Sequence, residues 1–179
     1  MNFRGIVHAR IDDRLIHGQV AVFWCNYLGV SRIMVANDEV SGDEMRKAAL
    51  RLVVPAGLRS SIISVDNAAN NICAGKYEGQ KVLLIARSPV DILRLVKAGV
   101  KLEQVNAGNL SSRQNTVCVK KYINVTPEEL EAFLELNRRG IRLTAKLVPD
   151  SQEEDLMDYL KKAGSLGFEQ VPRCEGGKG

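Results

Sequence analysis

The chain has 179 residues, 45% of them hydrophobic and 26% charged, with a net charge of +4. That is the make-up of one ordinary globular domain with a sizeable core. Basic and acidic residues are interleaved, which argues against a nucleic-acid footprint. No run approaches the ~18 apolar residues of a membrane helix, and Arg4, His8 and Arg10 interrupt any signal-peptide-like stretch. The four cysteines (25, 73, 118 and 174) show neither C-x-x-C nor zinc spacing, so they are expected to be buried or idle thiols in a reducing cytosol, with no metal site.

Strand-length apolar runs alternate with helix-length amphipathic segments. Ile6 to Ile11 reads as a strand, Asp12 to Gly18 as a loop, and Gln19 to Leu28 as a helix closed by Gly29. Arg32 to Ala36 is a second strand. Ser41 with Glu44 forms a capping box that opens a helix to about Leu52. Ser61 to Val65 is a third strand, and Asp66 is the expected cap of a helix ending near Gly75. Lys81 to Ala86 is a buried strand. Ser88-Pro89 opens a helix to Lys97, and Gln104 to Asn106 is a short strand.

The polar stretch from Asn106 to Thr116 reads as a loop, and Val117 to Val125 as a hairpin or bent edge. Thr126-Pro-Glu-Glu129 is a second capping box for a helix to Arg139. Ile141 to Leu147 is a last strand, residues 152 to 163 a last helix, and 164 to 179 a tail expected to be mobile. The alternation predicts an α/β fold with a mostly parallel sheet and helices on both faces. It assigns residues 1–163 to one domain. Ligands of such sheets gather at the carboxyl ends of the strands.

The chemistry concentrates in Ala9-Arg-Ile-Asp-Asp-Arg-Leu-Ile-His-Gly-Gln-Val20, where the first strand gives way to the first helix. Asp12, Asp13, Arg14, His17 and Gln19 crowd around Gly18. An imidazole nitrogen is a nucleophile at neutral pH that can take a phosphoryl group covalently. The guanidinium fork of Arg14 can hold two phosphoryl oxygens, and amides at the helix start can add to that. Asp12 or Asp13 can hydrogen-bond one ring nitrogen and leave the other to react. Which of the two does so, and which nitrogen reacts, stays open at this point.

Arg10-Ile-Asp-Asp-Arg-Leu-Ile-His-Gly-Gln-Val20 resembles the active-site segment of the enzyme IIB component of the mannose/fructose/sorbose family of the bacterial phosphoenolpyruvate-dependent sugar phosphotransferase system. The likeness continues through Arg32 to Val40, Lys81 to Ile85, Ser88 to Gly99 and Val105 to Leu110, over roughly residues 5 to 160. It implies a sheet of about seven strands and phosphorylation of His17 by a IIA phosphohistidine, with Arg14 steadying the group. It also implies delivery to a sugar held by the membrane components IIC and IID. The activity would be that of a protein-N(pi)-phosphohistidine–sugar phosphotransferase in the cytoplasm, with no cofactor and no insertion of this chain into the membrane. Family members commonly carry Gly-Lys where this chain has Asn115-Thr116. Arg113 or Lys120 are the candidates to replace the missing cation.

Other residues divide between site and scaffold. Asp38 and Glu39, after the second strand, are expected either to reach His17 or Arg14 or to cap the next helix. Asn106 and Asn109 flank Gly108 and can meet a phosphoryl oxygen or simply make a turn. His8, inside a strand, reads as structural. The competing functional readings are an α/β enzyme acting on a phosphorylated metabolite and an adaptor domain. An adaptor would need neither His17 nor Arg14.

Overall fold

The computed structural model describes residues 3–166 of the chain. Seven strands form one sheet in the order β3-β2-β4-β1-β5-β8-β9. They are β1 (Ile6–Asp12), β2 (Arg32–Ala36), β3 (Arg59–Ile63), β4 (Val82–Ala86), β5 (Gln104–Asn109), β8 (Arg142–Ala145) and β9 (Glu154–Asp155). All pairings are parallel except β8 with β9. The mostly parallel α/β architecture predicted from the alternation is therefore the one observed. A separate antiparallel hairpin joins β6 (Val117–Lys120) to β7 (Ile123–Val125), as the sequence suggested.

Strand periodicity sorts the core into two layers. Met34, Ala36, Val82, Leu84, Ala86, Ala9 and Ile11 point to one face. There they meet α4 (Val65–Cys73), α5 (Pro89–Lys97), α6 (Pro127–Arg138) and α7 (Leu156–Leu166). Ile33, Val35, Leu83 and Ile85 point to the other. They pack against Val20, Ala21 and Trp24 of a π-helical stretch, Gln19–Trp24, that runs directly into α1 (Cys25–Leu28). Gly29, at φ 57°, closes α1 as expected. Two further helices, α2 (Asp38–Ser41) and α3 (Glu44–Val53), follow β2.

Several boundaries differ from the sequence reading, each for a local reason. Ser41 caps nothing: it ends α2, and its hydroxyl donates to the Asp38 carbonyl. Asn37 caps α2 and Asp43 caps α3, accepting from the Arg46 amide at 3.0 Å. The cap of α4 is Ser64, not Asp66, so β3 ends at Ile63. β5 continues through Gly108 to Asn109, which places both in the sheet and not in a loop. β8 is shorter than expected, β9 occupies part of the stretch assigned to the last helix, and that helix reaches Leu166, beyond residue 163.

The capping box at Thr126 and Glu129 forms as anticipated. Cys25 and Cys73 are free thiols. Cys118, against the expectation of idle thiols, is disulfide-bonded; Cys174 and the remainder of the expected tail lie outside the described residues.

Candidate functional site

β1 lies at the centre of the sheet between β4 and β5. The chain crosses from one side of it to the other between those two strands, so the carboxyl end of β1 sits at the switch point where α/β sheets bind ligands. Alternation along β1 turns Ala9 and Ile11 to one core and His8, Arg10 and Asp12 to the other, under the π-helical stretch. At the end of the strand the Leu15 amide donates to the Asp12 carbonyl at 3.0 Å. Leu15 itself takes φ 58°, a left-handed conformation that bulky residues rarely adopt. Its side chain is buried with Ile16, Val20 and Trp24, and that packing holds the strained turn in place.

The turn brings His17 back over the end of β1. His17 Nε2 lies 3.0 Å from Asp12 Oδ2. The same carboxylate accepts from Arg14 Nε at 3.1 Å and Nη2 at 3.3 Å, and from the Arg14 amide at 3.2 Å. From beneath, Arg10 donates to it through Nη2 at 2.9 Å and Nε at 3.3 Å. Asp12 is completely buried, Arg14 is 40% exposed and the His17 side chain 18% exposed. The charge is thus enclosed while the imidazole and one guanidinium face solvent.

Burial alone would push the Asp12 carboxyl up. The hydrogen bond from His17, the charge of Arg10 and the hydrogen bond from Arg14 outweigh it and hold the group down to about 2. It is a carboxylate throughout the physiological range.

Arg10 is the functional-site neighbour that sequence reasoning passed over. It is fully buried. Beyond Asp12 it donates to Asn106 Oδ1 at 2.7 Å and to the carbonyls of Lys146 and Leu147 at 3.0 and 3.2 Å. Its guanidinium carbon sits 5.0 Å from the centre of the Trp24 ring. The available signal was a charged residue inside an apolar strand, two positions before Asp12 and therefore on the same face.

The other expected residues occupy distinct places. Asp13 does not touch the imidazole. Its Oδ1 accepts from Asn109 Nδ2 at 2.6 Å and its Oδ2 from the Ser111 amide at 2.8 Å, fastening the loop to the end of β5. Asn109 therefore faces the loop, and Asn106 faces Arg10. Gly18 is exposed, with no atom within 4 Å of where a Cβ would sit. The Gln19 side chain turns inward with Oε1 buried.

Asp38 is committed to Arg94 and to the Val65 amide, and Glu39 to Arg46 and Arg87. Both thus serve the neighbouring helices. Arg113 pairs with Glu129, and Lys120 with Glu154 and Tyr159. Asn115 keeps the left-handed backbone (φ 59°) that a glycine would supply there. His8 stacks on Trp24 with ring centres 4.8 Å apart. Among the described residues no cluster of three or more His, Cys, Asp or Glu could hold a metal ion, and no helix is long and apolar enough to cross a membrane.

Residues 6–170 match the family model described as the sorbose subfamily IIB component of the phosphotransferase system (PTS). The chain belongs to that family.

Relatives agree with the assignment. The chain is 41% identical over 154 residues to the mannose-specific EIIAB component of Escherichia coli K12, covering 86% of this chain and 48% of that protein. It thus spans about half the length of that relative. To the fructose-specific EIIB component of Bacillus subtilis it is 35% identical, over 87% of this chain and 96% of the relative. The IIBSor domain of the sorbose permease from Klebsiella pneumoniae superimposes with a TM-score of 0.84 at 31% identity, over 90% of this chain and 98% of the domain. These matches agree with the family model in placing the chain among IIB components of the phosphotransferase system.

Proposed function

We propose that this IIB component accepts a phosphoryl group on His17 Nδ1 from a phosphohistidine of a IIA partner. It then delivers the group, from the cytoplasm, to a sugar held by membrane components IIC and IID. The observation that carries this reading is the 3.0 Å contact between His17 Nε2 and Asp12 Oδ2. A carboxylate held near 2 has no proton to give, so the hydrogen in that contact sits on Nε2. In the neutral imidazole this leaves the lone pair on Nδ1.

The step balances without a proton transfer. Nδ1 attacks phosphorus as the N–P bond of the donor breaks, and the donor imidazole leaves with that electron pair. The ring of His17 becomes a phosphorylated imidazolium, whose positive charge is met by Asp12 at Nε2. Arg14, already aligned by the same carboxylate and facing solvent, draws part of the charge that spreads over the equatorial oxygens. The open space at Gly18 supports a role in admitting the group, and Gln19 stands beside it at the start of the helix with its Oε1 buried. In the second step a sugar hydroxyl oxygen attacks phosphorus, the N–P bond breaks with its electron pair returning to Nδ1, and the hydroxyl proton is released to solvent, leaving His17 neutral with its hydrogen still on Nε2.

Incubation with phosphoenolpyruvate, the two general phosphotransferase proteins and a cognate IIA tests the proposal. An acid-labile, base-stable phosphate on the wild type and none on His17→Ala is expected. Label persisting in His17→Ala contradicts it.

A further inference from the structure

We propose that Arg10 is a positioning residue for phosphoryl transfer: it fixes the Asp12 carboxylate from below, and through it the tautomer of His17. The inference rests on His17 being the phosphoryl acceptor.

Arg10 never reaches the reacting atoms. It is fully buried, and its link to His17 runs through Asp12 Oδ2. Its five N–H groups are spent on one rigid pattern. Nε and Nη2 grip Asp12 Oδ2, Nη1 serves Asn106 Oδ1 and the Lys146 carbonyl, and Nη2 also reaches the Leu147 carbonyl. Trp24 covers the guanidinium, and its own indole N–H is anchored on the Leu147 carbonyl at 3.1 Å. The fork is thus located by three strands and a helix (β1, β5, the end of β8 and the π-helical stretch), and the carboxylate it grips has little freedom to rotate. Asp12 Oδ2 is the oxygen that both Arg10 and His17 use.

Gly108 supplies the space. A Cβ there would lie 1.9 Å from the guanidinium carbon and Nη2 of Arg10 and 2.3 Å from Nη1. These are stiff, doubly bonded atoms that cannot step aside without releasing Asp12. The backbone of β5 approaches the guanidinium so closely that only glycine fits, at a residue whose φ is not in the left-handed region. The glycine is required by Arg10, not by the fold of the strand.

A merely structural Arg10 would affect how many molecules fold, and not which ring nitrogen of His17 carries the proton in those that do. Nitrogen-15 spectra of the ring distinguish the two. In the wild type at neutral pH the Nε2–H tautomer should dominate. In Arg10→Lys, a point charge without the fork, and in Gly108→Ala, which touches neither Asp12 nor His17, the ratio of Nε2–H to Nδ1–H should fall. Losing such an outer partner typically costs about 10–100-fold, and the rate of phosphoryl acceptance should fall by a similar factor. A wild-type tautomer ratio in folded Arg10→Lys and Gly108→Ala overturns the proposal.

If neither variant folds, the wild type decides. The Arg10 Nε–H should exchange slowly with solvent, as expected of a donor fixed on Asp12, and rapid exchange at that position overturns the proposal. The tautomer measurement needs no phosphoryl donor. A wild type that takes no label on His17 would therefore defeat the relay reading while leaving the role of Arg10 in setting the tautomer separately decided.

Discussion

Asp12 Oδ2 stands 3.0 Å from His17 Nε2, on a carboxylate that also binds Arg14 and Arg10. One buried anion therefore organises a partly buried nucleophile, an exposed cation and a buried cation. Both the chemistry and the stability of this corner of the fold depend on it.

Asp12→Asn should weaken both at once. It leaves Arg10 buried without its counter-charge, which typically costs about 3–5 kcal/mol when one member of a buried pair is removed. It also removes the fixed acceptor at Nε2. We expect a lowered urea midpoint and phosphoryl acceptance slowed by at least about 100-fold, a scale seen when a charge-stabilising contact is lost. Unchanged stability would show that Arg10 does not rely on this carboxylate.

Arg14→Ala should separate function from fold. The side chain is 40% exposed, and exposed ion pairs contribute about 0–1 kcal/mol, so the unfolding midpoint should barely move. Transfer should slow by about 10²–10³-fold, as when one preorganised donor is removed. Arg14→Lys, which keeps charge without the planar fork, should recover only part of it. Single-turnover transfer from phosphorylated IIA measures both.

Asp38→Asn is the complementary case. Its carboxylate is held below the usual range, first by the hydrogen bond from Arg94 and then by the Val65 amide. Neither partner belongs to the phosphoryl loop. Transfer should stay within about twofold of wild type, while a small loss of stability, well under the cost of a core defect, is expected for an exposed ionic contact. A large loss of transfer would return Asp38 to the site.

Acid stability should carry the mark of His8. Burial, then the charges of Arg10 and Lys146, lowers its pKa from 6.5 to about 4. The folded protein resists a proton that the unfolded chain accepts, so stability is complete above pH 6.5 and is lost as pH falls from 6.5 towards 4. The loss over that window is about 3 kcal/mol. Asp12 acts in a lower window: with its folded pKa near 2 against 3.8, its contribution is present above 3.8 and disappears towards pH 2. His8→Phe, which can keep the stack on Trp24, should flatten the urea-unfolding profile between pH 6.5 and 4. A slope that survives in His8→Phe would place its origin elsewhere.

The fold was legible where local rules and burial agree. The apolar strand at Val82–Ala86, the Pro-initiated helices at Pro89 and Pro127 and the glycine stop at Gly29 all follow from short-range chemistry. Caps were misread where two oxygen-bearing residues compete within a few positions, as Ser41 with Asp43 and Ser64 with Asp66, because only the backbone path decides which oxygen meets the amide.

In the site, the segment from Asp12 to Gln19 stood out by its density of functional groups. The choice between Asp12 and Asp13 did not, because it depends on strand alternation ending at residue 12 and on Asn109 arriving from β5 to claim Asp13. Arg10 was hidden for a related reason. Its partners Asn106, Lys146 and Leu147 lie about 100 and more residues away in sequence, and nothing local marks them as one cluster.

Phosphorus and nitrogen NMR of the phosphorylated, nitrogen-15-labelled protein bears most directly on the relay. We expect one phosphoramidate signal, coupled to Nδ1 of His17, with Nε2 still protonated against Asp12. Phosphate on Nε2, or on any residue other than His17, would contradict the mechanism.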